Sequence, residues 1–175
     1  LPGALKASEL RSQGFRPLLG ENLDQWDTNE TKRRHWTFHG TELHYDGDNE
    51  KLNWKDSNLW TKESFGDTQL YVEWRLPRTP APKPQPIVLW NGDFLLDNAG
   101  KRITRMGPDA GDSGILFRGT LKCQANIWCQ ELGSGEVNGF RTDKKLPIRV
   151  RQSCLPFAVA DRPMGEWNVF LITLK

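Results

Sequence analysis

The feature that most constrains the fold is an alternation of apolar and polar residues with a period of two, repeated in short segments. This period places successive side chains on opposite faces of a β-strand. The clearest segments are HWTFHGTELHY, DTQLYVEWRLP, IVLWNGDFLLD, SGILFRG, KCQANIWCQEL, IRVRQ and GEWNVFLITLK. Helical periodicity is confined to LKASELRSQG near the start. Many short strands separated by Gly and Pro turns predict an all-β protein with an antiparallel β-sandwich or barrel.

Turn residues divide these strands. His39-Gly40 predicts one turn, and Asn91-Gly92 is the strongest short hairpin signal. Pro77 is expected to end the DTQLYVEWRLP strand. The stretch RTPAPKPQP is predicted to be a proline-rich loop, because proline lacks the N–H that a central strand needs. GSGEVNG is predicted to be a flexible loop, and it lacks the GK[ST] ending of a phosphate loop.

Length and charge bound the class of protein. The 175 residues suit one domain over residues 1–175, and the net charge of +2 argues against a nucleic-acid binder. No segment is apolar for the ~18 residues of a membrane span, and no leader is visible. The sequence leaves two locations open: periplasmic or secreted with the leader removed, or cytoplasmic. Because Lys175 closes a strong strand pattern, we expect the natural chain to continue.

The cysteines and acidic loop residues give no clear metal site. Cys123 and Cys129 are too far apart along one strand to bridge each other, although one could pair with Cys154. Three histidines, His35, His39 and His44, are expected at the surface. No cofactor is evident. A divalent ion stays open, since Asp109 and Asp112 could hold calcium with loop carbonyls.

One face of three predicted strands carries unusual chemistry. The apolar faces hold Val72, Trp74, Ile115, Phe117, Cys123, Ala125, Ile127 and Cys129. The opposite faces hold Glu73, Arg75, Arg118, Gln124, Asn126 and Trp128. Guanidinium and amide donors recognise hydroxyls and carbonyls, and an indole offers a plate on which a sugar ring can stack. The pattern favours a carbohydrate ligand. The alternative is a solvent-facing sheet with Glu–Arg pairs across the strands.

Five motifs occur in the order typical of one family: GFRPLLGENLDQW, WTFHGTEL, LYVEWRLP, DSGILFRG and PMGEWNVFLITLK. Over nearly its whole length the chain resembles the 3-keto-disaccharide hydrolase domain family of bacteria. The resemblance implies a concanavalin A-like jelly-roll sandwich with its site on the concave face. It also implies cleavage of 3-keto-glucosides by elimination and hydration, and frequent export.

The resemblance carries site residues onto this chain. The matched positions are Glu73, Arg75, Asp112, Ser113, Arg118, Glu166, Trp167 and Asn168. Two departures stand out. Gln124 occupies a position where many relatives have Glu, and an amide cannot act as a general base. The chain also ends before a His-bearing strand of the family.

The implied chemistry assigns roles. A ketone at carbon 3 acidifies the proton on carbon 2, so the reaction needs a base, a group that holds the enolate oxygen, and an acid. Glu73 is the first candidate for the base. Glu131 and Glu136 are reserve candidates from the loop after the strand that contains Trp128. Arg118 is the candidate for the enolate, with Asn126 as a second donor.

Other residues of the polar face are expected to bind the sugar. Trp128 is expected to stack on the sugar, while Arg75, Asp112 and Gln124 are expected to contact it. Several of these residues also have a structural alternative. Glu73 could form an ion pair, Glu131 and Glu136 could lie in a solvated loop, and Trp128 could lie in the core or at its rim. Trp167 is expected in the core. The chain is therefore an enzyme acting on 3-keto-glycosides, a carbohydrate-binding module without catalysis, or a protein-interaction sandwich.

Overall fold

The structure is a computed structural model that describes residues 4–47, 57–76 and 80–175. Strands dominate these residues, which confirms the all-β class. The strands are β1 (Trp26–Asp27), β2 (Trp36–His39), β3 (Glu42–Tyr45), β4 (Trp60–Thr61), β5 (Thr68–Trp74), β6 (Ala81–Pro86), β7 (Thr104–Asp109), β8 (Ser113–Phe117), β9 (Thr120–Ile127) and β10 (Asn168–Leu174). The helices are α1 (Ala7–Ser12), α2 (Glu30–His35), α3 (Asn138–Arg141) and α4 (Ile148–Gln152).

The strands pair two by two. Within the described ranges the pairs are β1–β4, β2–β3, β5–β10, β6–β7 and β8–β9. The chain groups into two compact units, Leu1–Val72 with Val169–Lys175, and Glu73–Asn168. In the first unit, Trp36 packs on Tyr45 across β2–β3 with ring centroids 4.7 Å apart. The second unit holds the residues on which the predicted site depends.

The predicted hairpins are confirmed. β2 and β3 join at Gly40, which has a φ of 65°. Around Asn91-Gly92 the Leu89 N–H donates to the Asp93 carbonyl at 2.8 Å, and the Leu95 N–H donates to Ile87 at 2.9 Å. The β8–β9 hairpin also forms as expected, and it turns at Arg118-Gly119.

The proline-rich stretch is the first correction. Residues 81–86 form β6, antiparallel to β7, although a loop was predicted. Pro82 faces Pro108 in this ladder. Because neither proline can donate, this pair falls where antiparallel strands exchange no hydrogen bonds. The prolines are two apart, so all of their nitrogens face away from β7, while Ala81, Lys83 and Gln85 keep donors facing it.

IRVRQ is the second correction, since it forms α4 rather than a strand. Pro147 stands at the N-cap with φ −55°, and the Arg151 N–H donates to its carbonyl at 3.1 Å. Ile148 and Val150 are exposed, so the alternation did not mark a buried face. Arg151 is buried and donates to the Arg141 carbonyl at 2.8 Å. Tertiary hydrogen bonding thus overrides the strand pattern.

GSGEVNG, predicted to be flexible, is held against β9. The Gly135 N–H donates to the Asn126 carbonyl at 2.7 Å, and the Asn126 N–H donates to the Glu136 carbonyl at 2.9 Å. The Val137 N–H donates to Cys154 at 2.9 Å. Cys123, Cys129 and Cys154 are free thiols, so the pairing left open from the sequence is not formed. Pro77 lies outside the described residues.

Gly92 is the turn position with the least tolerance for a side chain. Its φ is 83°, and a Cβ there would lie 3.0 Å from Arg141 Cγ and 3.4 Å from the Arg151 carbonyl oxygen. We expect Gly92→Ala to lower the free energy of unfolding by more than the ~1–2 kcal/mol of a left-handed backbone alone. Urea unfolding measures this. Gly100→Ala is the matched control, since its φ is 78° with nothing within 4 Å. Equal losses in both variants would contradict the close packing at Gly92.

Candidate functional site

The second unit contains a fully buried ion pair. Glu136 and Arg141 are both 0% exposed. Arg141 Nε donates to Glu136 Oε1, and Asn126 Nδ2 donates to Oε2 at 3.4 Å. The five-residue spacing brings the guanidinium at the end of α3 back over the carboxylate that precedes this helix. Both carboxylate oxygens therefore have donors.

The two Nη atoms of Arg141 also donate. Nη1 donates to the Gly92 carbonyl at 2.7 Å, and Nη2 donates to Asn138 Oδ1 at 3.0 Å. The guanidinium carbon lies 4.7 Å from the centre of the Phe94 ring. A buried charge is tolerated when it is paired and fully hydrogen-bonded. Each of the three guanidinium nitrogens of Arg141 has an acceptor, and these contacts join Glu136, α3 and the Asn91-Gly92 turn.

Further ion pairs hold the Asn91-Gly92 turn next to Arg141. Arg151 Nη2 and Lys144 Nζ both donate to Asp93 Oδ1, and Arg151 Nε holds the Arg141 backbone. The two cations lower the pKa of Asp93 below its ordinary value by hydrogen bonding. The turn is therefore held to α3 by Arg141, which donates to the Gly92 carbonyl, and to α4 by the ion pair of Arg151 with Asp93.

Burial raises the pKa of Glu136 above its ordinary value, while Arg141 and Asn126 act in the opposite direction. In this arrangement the carboxylate is sealed from solvent and occupied by two donors. It can orient Asn126 and neutralise Arg141. A catalytic role for Glu136 would require the covering segment to open.

Three other residues of the predicted polar face are covered or turned inward. Asn126 is 4% exposed and bonded to Glu136. Trp128 is 8% exposed, and its indole N–H donates to the Gly133 carbonyl at 2.9 Å. Gln124 is half-buried opposite Leu116, and its side chain occupies the space that a Cβ at Gly114 would need. Burial along β9 increases towards Ile127 rather than alternating, Trp128 lies beyond the end of the strand, and segment 133–141 packs against this part of the chain.

Arg118 lies at the turn of the β8–β9 hairpin rather than on a strand face. Its φ is 58°, followed by 66° at Gly119, and its side chain is exposed. Six residues separate it from Asp112 at the other end of β8, a span of roughly 20 Å in an extended strand. The structure therefore does not bring Arg118 together with Asp112 or Trp128.

Glu73 and Arg75 flank Trp74 in the sequence. Both are exposed and form a polar surface, whereas Trp74 is buried. The guanidinium carbon of Arg75 lies 4.7 Å from the centre of the Trp167 ring. Trp167 is 38% exposed, so the expectation that it is core is corrected. The Gly165 N–H donates to the Leu76 carbonyl at 2.9 Å, which fixes the two segments side by side. Two of the sequence motifs thus meet at one open surface.

The remaining acidic candidates lie elsewhere. Glu131 is exposed and paired with Arg105. Asp109 pairs with Lys83 at 3.0 Å, and its pKa is lowered by that contact. Desolvation and the nearby Asp109 raise the pKa of Asp112, although part of the residue remains accessible. Among the residues that the structure describes, no group of three or more His, Cys, Asp or Glu side chains is placed to hold a metal ion.

A comparison of the sequence with protein families gives a match over most of the chain. Residues 14–175 match the family model described as the 3-keto-alpha-glucoside-1,2-lyase-like domain. The chain belongs to this family. Neither the search among curated proteins nor the search among solved structures finds a match. In the described part of the chain, no helix has the length and apolar character needed to cross a membrane.

Sequence reasoning missed Arg141, and it assigned Trp167 to the core although the family motif includes it. Trp167 was visible in the family motif GEWN, but its exposure depends on packing that a period-two pattern does not report. Arg141 follows Glu136 by five residues in a segment that was interpreted as a loop. A spacing of five lies outside the i,i+3 and i,i+4 pairs that helical geometry favours, so no spacing rule indicated this ion pair.

Removal of one partner tests how much the buried ion pair contributes to the free energy of unfolding. We expect Arg141→Met to lower the free energy of unfolding by about 3–5 kcal/mol, because Glu136 is left buried without its counter-charge. In Glu136→Leu/Arg141→Met no charge is left unpaired, and most of this loss should be recovered. Urea unfolding of both variants measures the difference. A loss of less than ~1 kcal/mol in the single variant would contradict a buried, hydrogen-bonded ion pair.

The pH dependence of the same variant gives an independent check. A carboxyl whose pKa is raised on folding binds a proton more tightly in the folded state, so stability falls as pH rises above its ordinary value of 4.5. Without Arg141 this fall should be steeper than in the unmodified protein. Urea unfolding from about pH 5 to about pH 8 measures the slope. Stability that rises with pH would show that the folded pKa is lowered instead.

Proposed function

We propose that this protein is an enzyme that cleaves 3-keto-glycosides by elimination and hydration. The family match supports the carbohydrate class. The observation that carries the proposal is the exposed carboxylate of Glu73 two residues from Arg75, whose guanidinium is stacked on the exposed Trp167. A carboxylate, an oriented cation and an accessible indole on one surface suit a keto-sugar better than a lipid or a nucleic acid.

The reaction needs a base at carbon 2. The ketone at carbon 3 makes this proton acidic, and the Glu73 carboxylate takes it as the electron pair moves into the enolate. The enolate then expels the oxygen at carbon 1, and the aglycone leaves with a proton. Water adds across the resulting carbon–carbon double bond, which yields the free keto-sugar. A positioned base contributes typically ~10²–10⁴ to the rate of such a step.

Arg75 is the group proposed to hold the developing enolate oxygen. Stacking on Trp167 limits the conformations of the guanidinium, so less freedom is lost when it binds the oxygen. Fixed donors directed at developing charge give the largest benefit in catalysis. The sequence favoured Arg118 for this role, and its exposed position at the β8–β9 turn makes the two arginines experimentally separable.

A carbohydrate-binding module without catalysis is the second candidate. The observation that favours it is Gln124, which stands where many relatives have Glu and which is half-buried opposite Leu116. An amide cannot accept a proton from carbon 2. This candidate keeps the sugar on the same surface and predicts binding without proton exchange.

The proposal includes the finer fold and location that the family implies. We propose that the paired strands belong to a concanavalin A-like jelly-roll sandwich and that the protein works in the periplasm or outside the cell. Family membership supports both statements.

Glu73→Gln tests the base. We expect this variant to lose at least ~100-fold in aglycone release and in exchange of the carbon-2 proton, because the amide accepts no proton. Proton NMR of a 3-keto-glucoside in heavy water measures both. Glu131→Gln is the matched control, since Glu131 is an exposed glutamate paired with Arg105, and it should keep its activity. Binding without exchange by the unmodified protein would favour the binding module. No effect on the keto-sugar would overturn both candidates.

Arg75→Ala and Arg118→Ala test the enolate role against each other. We expect Arg75→Ala to lower kcat by ~10²–10³, as removal of an oxyanion donor does, while Arg118→Ala stays near the unmodified rate. Steady-state kinetics with one 3-keto-glucoside measures both variants. The reverse order would return the role to Arg118, and equal small losses would show that neither arginine holds the enolate.

A further inference from the structure

The loop that carries Trp167 contains a tight turn. The Glu166 N–H donates to the Pro163 carbonyl at 3.0 Å, and Gly165, the third residue of this turn, has a φ of 85°. Glycine adopts a positive φ at this turn position without steric cost. The Gly165 N–H also donates to the Leu76 carbonyl at 2.9 Å. The turn is therefore fixed beside the chain that follows β5.

The side chain of Asn168 spans the same loop. Its Oδ1 accepts the Arg162 N–H at 2.8 Å, and its Nδ2 donates to the Glu166 carbonyl at 3.2 Å. An asparagine amide offers both an acceptor and donors, so one side chain can hold two backbone groups of opposite kind. The first contact joins the two ends of segment 162–168. Trp167 lies between the two residues that the second contact joins.

We infer that Asn168 is a positioning residue, which orients Trp167 and through it the guanidinium of Arg75. This inference rests on the function proposed above, in which Arg75 holds the enolate oxygen. The Arg75 guanidinium carbon lies 4.7 Å from the centre of the Trp167 ring, so the orientation of the ring decides where the donors of the cation point. A misplacement of about 1 Å in such a group can cost ~10²-fold in rate. Asn168 therefore acts on the rate without contact with the reacting atoms.

Two-dimensional NMR of the protein without substrate tests whether Asn168 orients the ring. We expect Asn168→Ala to shift the Trp167 indole N–H signal and to lower its heteronuclear nuclear Overhauser effect, because both contacts of the amide are lost. Asn91→Ala is the matched control, since the Asn91 amide also makes two hydrogen bonds in a turn, at 2.9 and 3.1 Å to Asp93. It should leave the Trp167 signal in place. A Trp167 signal that is unchanged in Asn168→Ala overturns the inference, whatever the protein catalyses.

A double-mutant cycle in kcat tests whether Asn168 acts through Arg75. We expect Asn168→Ala to lower kcat by about 10-fold to 100-fold with KM nearly unchanged, because the enolate contact is made only in the transition state. In the Arg75→Ala background the same substitution should lower kcat by less than about twofold. Equal losses in both backgrounds overturn the action through Arg75.

The two measurements separate a failure of this inference from a failure of the proposed function. An Arg75→Ala variant with unmodified kcat refutes the enolate role, while the Trp167 signal still decides whether Asn168 orients the ring. If Asn168→Ala does not fold, Asn168→Asp takes its place in both measurements with the same expected direction. Asp keeps the acceptor for the Arg162 N–H and lacks the donor to the Glu166 carbonyl.

Discussion

The buried ion pair of Glu136 and Arg141 is the interaction on which the second unit depends. Two charges can be withdrawn from water only where each finds a partner and the remaining lone pairs and protons are satisfied. Each guanidinium nitrogen of Arg141 donates to one acceptor, on Glu136, Gly92 or Asn138, and the guanidinium lies over Phe94. The pair therefore dictates that the Asn91-Gly92 turn, β9 and α3 come together. It also explains why Gly92 must lack a side chain, since the Arg141 stem occupies that space.

This pair decides which polar groups are available for chemistry. Glu136 occupies the amide of Asn126, and the Gly133 carbonyl occupies the indole N–H of Trp128, so the strand that first looked like a sugar platform is covered. An exposed carboxylate and an exposed stacked guanidinium remain on the other side of Trp74, at Glu73 and Arg75. The surface that we propose as catalytic therefore lies on the side of the chain opposite the buried Trp74.

The sequence predicted those parts of the fold that local chemistry determines. The hairpins at His39-Gly40 and Asn91-Gly92 follow from their turn residues, and the strands β5, β8 and β9 form where apolar and polar residues alternate. The same alternation failed at IRVRQ, where Pro147 begins a helix and Arg151 is held by Asp93 and Arg141. Proline chemistry failed at β6, since prolines spaced by two remove no donor from the paired side. For the site, the period-two alternation of apolar and polar residues assigns a residue to a strand face, but it does not show which face a distant segment covers. Trp128, which was expected to be open to a sugar, is therefore buried, and Trp167, which was expected in the core, is exposed.

The most direct test of this arrangement is to follow indole N–H signals by two-dimensional NMR while a 3-keto-glucoside is added. Trp167 and Trp128 are assigned from single Trp→Phe variants, so each ring reports separately. We expect the Trp167 signal to shift with saturation while the Trp128 signal stays in place, because Trp128 is buried and donates to Gly133. A shift of Trp128 with Trp167 unmoved would contradict the arrangement and return the sugar to the face of β9.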